Sequence, residues 1–130
     1  YIGILKGYEP EACDQRGCCG IQYVIEADGS VYPCDFYMLD EYRLGNFNAN
    51  QMEEINAKRK EIGFIERSLQ LKESCKSCPY FTICRGGCQR NRDYDQVSGM
   101  YENYFCKSYE MFFDACLPKM KEMAETLKRR

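Results

Sequence analysis

No histidine occurs anywhere in the 130 residues. Any metal site in this chain must therefore be mostly thiolate. That leaves zinc held by four cysteines, or iron–sulfur clusters, as the chemistries to weigh. No apolar run is long enough to span a bilayer, and no signal peptide opens the chain. A membrane-free, cytoplasmic protein is expected. Neither sign of charge is in excess: 18 basic residues face 20 acidic ones, a formal charge of −2. Nothing there points to nucleic acid or to an anionic membrane surface. There is no internal repeat at a solenoid period and no low-complexity linker. The length suits a single domain with a modest core. Tyr1 opens the chain in place of Met, and "YIGILKGYEP" reads like the end of an earlier helix running into a loop. A fragment of a longer protein is expected.

What the chain has instead is cysteine, ten of them. A disulfide framework is the plain reading of such a count in a small secreted domain. Against it stand the 29% charged residues, the long helical patterns and the missing export signal. The cysteines also cluster at ligand spacings, which favours metal.

The elements around them indicate an α+β chain. "IQYVIEADGSVYPC" (21–34) predicts a β-hairpin: Ile21, Tyr23 and Ile25 alternate with Gln22, Val24 and Glu26, and Asp28-Gly29 supplies the turn. Pro33 should end the second strand beside Cys34. Residues 48–72 predict helix, with Asn50 and Glu53 as a capping box and Met52, Ile55, Ile62, Ile65 and Leu69 as the apolar face. Gly63 should split it in two. Residues 73–101 read as a cysteine-rich loop with one helical turn at Pro79–Ile83. At the C-terminus, Phe105, Tyr109, Phe112, Cys116, Met120, Met123 and Leu127 form one apolar stripe. Pro118 should kink or break that helix, and the "KRR" tail suits its end.

Four of the cysteines fall within "CKSCPYFTICRGGC" (75–88). Cys75 and Cys78 form CxxC, Cys84 follows after five residues, Cys88 after three more, and Cys106 after a further seventeen. Upstream, nine residues separate Cys19 from Gly29, four separate Gly29 from Cys34, and five separate Cys13 from Cys19. Two thiolates two residues apart converge on one centre through a tight turn, with backbone N–H groups directed at the sulfurs. Gly86-Gly87 lets the backbone approach a bulky group and adopt positive φ. Spacing alone does not separate Cys18 from Cys19 as a ligand. Cys116, on the helical stripe, reads as a buried hydrophobic thiol.

This pattern resembles the signature of SPASM domains, C-x(9–15)-G-x4-C, a gap, CxxC-x5-C-x3-C, a gap, C. These are C-terminal extensions of radical S-adenosylmethionine enzymes. "QYVIEADGSVYPCDFYMLDEYRLGNF" (22–47) and "CRGGCQR" (84–90) resemble the anaerobic sulfatase-maturating members in particular. The likeness runs from about Gly7 to the last helix. It implies a SPASM or twitch-like fold, a small hairpin and several helices around two auxiliary 4Fe–4S clusters. Cys13, Cys19, Cys34 and Cys88 would hold the first, and Cys75, Cys78, Cys84 and Cys106 the second. It selects Cys19 over Cys18. Fully ligated clusters suit electron transfer better than direct substrate binding.

The resemblance also bears on residues with an ordinary explanation. Asp35, in "PCDFY", reads by itself as a turn or capping aspartate. In the family, the aspartate at this place is the proposed base for the substrate side chain. Each four-thiolate cluster would carry roughly −2 when oxidised. Arg85, Arg90 and Arg92 are thus either charge balance or a solvated face. The tyrosines, eleven in all, are expected to pack around the clusters.

The implied activity of the whole enzyme is oxidation of a Cys or Ser in a sulfatase polypeptide to Cα-formylglycine. Its partners would be that sulfatase, its own N-terminal radical domain and a small electron-transfer protein. S-adenosylmethionine and a third 4Fe–4S cluster belong to the N-terminal domain, on a CxxxCxxC motif. This chain has no such motif: Cys84 and Cys88 form CxxxC, but Asn91 stands where the third cysteine would be. By itself the chain is expected to be inactive. Two alternatives remain, a structural two-zinc protein-interaction module and a SPASM domain that serves another peptide.

Overall fold

A computed structural model describes residues 1–128. The chain divides into two units, one of residues 1–19 with 69–130 and one of residues 20–68.

The 20–68 unit begins with the expected hairpin. Strands β1 (Val24–Ile25) and β2 (Ser30–Tyr32) pair antiparallel, Val24 opposite Tyr32 and Ile25 opposite Val31. The turn depends on two residues. The Asp28 carboxylate accepts the Ser30 N–H and hydroxyl, both at 2.8 Å. Gly29 has φ +86°, and a Cβ there would lie 2.5 Å from Asn48 Nδ2. A third strand, β3 (Gly45–Asn46), which the sequence did not reveal, pairs antiparallel with β2. Val31, Leu44 and Ile55 form the core, flanked by Tyr23, Phe47 and Ile62.

Helices α3 (Met52–Glu61) and α4 (Phe64–Ser68) follow, broken at Gly63 as expected. The cap lies one residue later than Asn50 and Glu53 would place it. Glu54 Oε2 accepts the Gln51 N–H at 2.8 Å, while Asn50 Oδ1 accepts the Asn46 N–H instead. The left-handed Gly63 also re-phases α4. Phe64 and Ser68 are buried, whereas Ile65 is half-exposed and Leu69 and Met52 are exposed. Phe64 meets Tyr37 edge-on at 5.0 Å.

In the other unit, α1 (Ile2–Leu5) and α2 (Cys13–Arg16) are single turns. Residues 73–101 are more ordered than a loop. They contain α5 (Glu73–Lys76), α6 (Phe81–Cys84) and a second antiparallel hairpin, β4 (Arg92–Asp95) with β5 (Met100–Asn103). Asp95 caps the hairpin turn and, with Glu102, pairs with Lys72.

Helix α7 (Cys106–Lys128) runs through Pro118 without a break. Tyr109, Cys116 and Met120 of the expected stripe are half-buried, but the fully buried positions differ from it. Phe113 and Ala124 are buried, while Phe112, Met123, Leu127 and Phe105 are exposed. Phe113 is held by the Tyr1 ring at 5.1 Å and the Tyr80 ring at 5.6 Å. Cys116 is half-buried rather than enclosed. Of the basic tail, Arg129 and Arg130 lie outside the described residues.

Candidate metal centre

All ten cysteines are half-buried. Four of them line one cavity of about 80 Å³, several times the room a single water needs. Cys75 lies in α5, Cys78 just after it, Cys84 at the end of α6, and Cys106 at the start of α7. Consecutive tight turns bring the first three together. The Cys78 N–H bonds the Cys75 carbonyl at 3.2 Å, and the Phe81 N–H bonds the Cys78 carbonyl at 3.0 Å.

After α6 the chain reverses through three left-handed residues, Arg85 (φ 52°), Gly86 (φ 79°) and Gly87 (φ 62°). Glycine is required at the middle one, because a Cβ on Gly86 would lie 2.7 Å from a Leu71 methyl. The Arg90 N–H bonds Cys88 Sγ at 3.4 Å, and the Gly86 backbone N–H favours the ionised Cys84 sulfur. These are the N–H···S contacts expected around thiolate ligands.

The charge environment explains what this pocket requires. Burial raises the Cys75 and Cys84 thiols above the ordinary cysteine range. Burial also pushes Cys106 up to about 11, with the Glu110 carboxylate adding to it. The Arg92 cation acts the other way on Cys75 and Cys84. Bare thiolates are disfavoured here, so a cationic core must displace the protons. Among the described residues, no three Cys, Asp or Glu side chains converge to hold a single ion. Four thiols spread around a cavity fit a polynuclear group better than one ion.

Three of the other predicted ligands belong to the same unit. Cys13 opens α2, Cys19 follows it beyond Gly17, and Cys88 follows Gly87. A Cβ on Gly17 would lie 2.0 Å from the Arg85 carbonyl oxygen, so the segment carrying Cys13 and Cys19 rests directly on the loop between Cys84 and Cys88. Cys18, beside Cys19, is equally half-buried. Gln89, next to Cys88, is buried, and both its carboxamide atoms lack a hydrogen-bond partner. Orphaned polar atoms of this kind mark a place where a further group belongs.

Cys34 belongs to the 20–68 unit, where it follows β2 and Pro33. Its thiol donates to Asp35 Oδ1 at 3.2 Å, and the Phe36 N–H bonds the same oxygen at 3.2 Å. Asp35 is exposed. It opens a short 3-10 turn, Asp35–Tyr37, without a side-chain cap bond.

Of the three arginines, Arg90 is exposed and Arg85 half-buried, but Arg92 is buried. Sequence reasoning missed the carboxylates of Glu102 and Glu110 and the carboxamide of Asn103 on the cavity wall. The signal available was Ser98-Gly99 within a polar alternation, which marks the hairpin that delivers Glu102 and Asn103.

Comparison with known proteins agrees with this geometry. The family model SPASM, an iron–sulfur cluster-binding domain, matches residues 17–79. A cysteine-type anaerobic sulfatase-maturating enzyme of Clostridium perfringens is 44% identical over 125 residues, 96% of this chain and 34% of that protein. The corresponding Clostridium novyi enzyme is 40% identical over 129 residues, 99% of this chain and 34% of that one. A serine-type enzyme of Bacteroides thetaiotaomicron is 33% identical over 93% of this chain and 30% of its own length. The chain thus spans about a third of these relatives. The solved structure of native anSMEcpe with bound AdoMet superposes with a TM-score of 0.82 at 41% identity, covering 96% of this chain and 35% of that one. The form that also holds the Cp18Cys peptide gives 0.81, over 96% and 36%.

Proposed function

We propose that this chain, which matches the SPASM iron–sulfur cluster-binding model over residues 17–79 and is similar to anaerobic sulfatase-maturating enzymes, is the auxiliary-cluster region of a radical S-adenosylmethionine oxidoreductase. The whole enzyme would convert a Cys or Ser of a sulfatase to Cα-formylglycine. The observation that carries this reading is the cavity lined by Cys75, Cys78, Cys84 and Cys106. These four residues would hold one 4Fe–4S cluster, and Cys13, Cys19, Cys34 and Cys88 a second. Bound there, the clusters supply a sink that takes up and passes on the electron left on the substrate after hydrogen abstraction.

The chain's own residues do the rest. The thiols release their protons on ligation, so assembly is favoured as pH rises. Glycines at 17, 86 and 87 let the backbone pack closely without side chains in the way. Asp35 takes the substrate side-chain proton, with the Phe36 N–H holding Oδ1. The sulfatase peptide, the radical domain and a small redox protein are the partners of this scheme. A reducing cytoplasm keeps the ten thiols available.

Anaerobic purification followed by iron and sulfide analysis tests the reading. About eight of each per chain is expected for two 4Fe–4S clusters. Stoichiometric zinc in a colourless anaerobic preparation would replace the proposal with the two-zinc module.

A further inference from the structure

Arg92 is 8% exposed, and its guanidinium is spent on backbone carbonyls. Nε donates to Gly86 O at 3.0 Å, and Nη2 donates to Gly87 O at 2.7 Å and Gly17 O at 2.9 Å. Each acceptor lies beside a ligand of the proposed centre. Gly17 stands between Cys13 and Cys19, Gly86 two residues after Cys84, and Gly87 immediately before Cys88. Asn103 reinforces the clamp, its Nδ2 donating to Gly86 O at 3.0 Å while its Oδ1 accepts the Phe105 N–H at 2.8 Å, one residue before Cys106. A planar fork with several donors suits this task, and a lysine ammonium cannot reproduce its geometry.

Resting on the cluster reading above, we propose that Arg92 is the positioning residue of the two-cluster centre. Its guanidinium fixes the Cys13–Cys19 segment against the Cys84–Cys88 loop, and its charge raises the reduction potential of the cluster in the Cys75–Cys78–Cys84–Cys106 cavity. The position and the charge are separable, which gives the proposal two readouts.

The test compares the anaerobically reconstituted chain with its Arg92→Gln and Arg92→Lys variants. Iron content, redox titration followed by electron paramagnetic resonance, and the spin–spin broadening between the two reduced clusters are measured. Arg92→Gln should hold iron but titrate at a more negative potential. Arg92→Lys should keep a potential near the parent's while its broadening changes, since the three-carbonyl clamp is lost. Parent-like potential and broadening in both variants overturn the proposal. Where Arg92→Gln fails to load iron, loading of Arg92→Lys at the parent's potential supports it. Failure of both with the helical circular-dichroism signal intact supports the positioning role. Failure of both with that signal lost makes Arg92 an ordinary packing residue and overturns it. A parent chain that loads no iron instead overturns the cluster reading itself.

Discussion

Single residues carry the sharpest consequences. Gly29 is the glycine of the C-x9-G-x4-C spacing, and its place in the turn accounts for it. Gly29→Ala would force a Cβ against the Asn46 and Asn48 side chains at an unfavourable positive φ. We expect a loss of about 1–3 kcal/mol in denaturant unfolding. Asp95 gives the pH dependence. Its carboxyl is held down to about 2, first by the Val97 N–H and then by Lys72 and Ser98. A depressed folded pKa stabilises above the ordinary aspartate value and is lost as the pH falls through the folded one. Melting temperature should therefore drop between about pH 4 and pH 2, and Asp95→Asn should flatten that drop. Asp35→Asn should leave iron content unchanged yet cut formylglycine formation by the whole enzyme on the order of 100-fold or more. Unchanged turnover would remove Asp35 from the proposed chemistry.

Helices and strands were legible to different degrees, for physical reasons. The β1–β2 hairpin was readable from its Asp-Gly turn and its β-branched and aromatic residues, while the expected alternation fails because Ile21 and Ile25 are exposed and β2 is buried throughout. The β4–β5 hairpin was not, because "RDYD" and "MYEN" alternate polar side chains beside a dense cysteine run. β3 has only two residues, below what any periodicity can reveal. In α7 the period was right and the phase only partly so, since Tyr109, Cys116 and Met120 are half-buried as expected. The rings of Tyr1 and Tyr80, remote in sequence, enclose Phe113, while Phe112 touches Tyr1 only from the exposed side. Truncating Phe113 to alanine should therefore cost about 3–5 kcal/mol, against under about 1 kcal/mol for the exposed Phe112. Denaturation midpoints would expose a reversed order. The cysteine sets were suggested by spacing and assigned by resemblance. The Arg92 clamp was illegible because one acceptor, Gly17, is 75 positions away.

At the scale of the molecule, little apolar core is available. Beyond the small cluster around Val31, Leu44 and Ile55, the buried apolar side chains are few. If the proposed clusters occupy their sites, thiolate ligation supplies folding energy that this core does not. Anaerobic chelation of iron should then lower the melting temperature markedly. Cys88→Ala should lose the cluster of Cys13, Cys19 and Cys34 while keeping the cavity cluster, and Cys75→Ala the reverse, read as about half the iron in each case. Loss of all iron from either variant would mean that the two ligand sets do not act separately. The bond between Arg92 and Gly17 also imposes an order of events in time. At a ribosomal rate of roughly 5–20 residues per second, the 75 positions between them take about 4–15 s to synthesise. Through the later part of that interval the early cysteines are outside the tunnel with no loop to rest on. Until the loop arrives, their thiols depend on the reductants around the nascent chain.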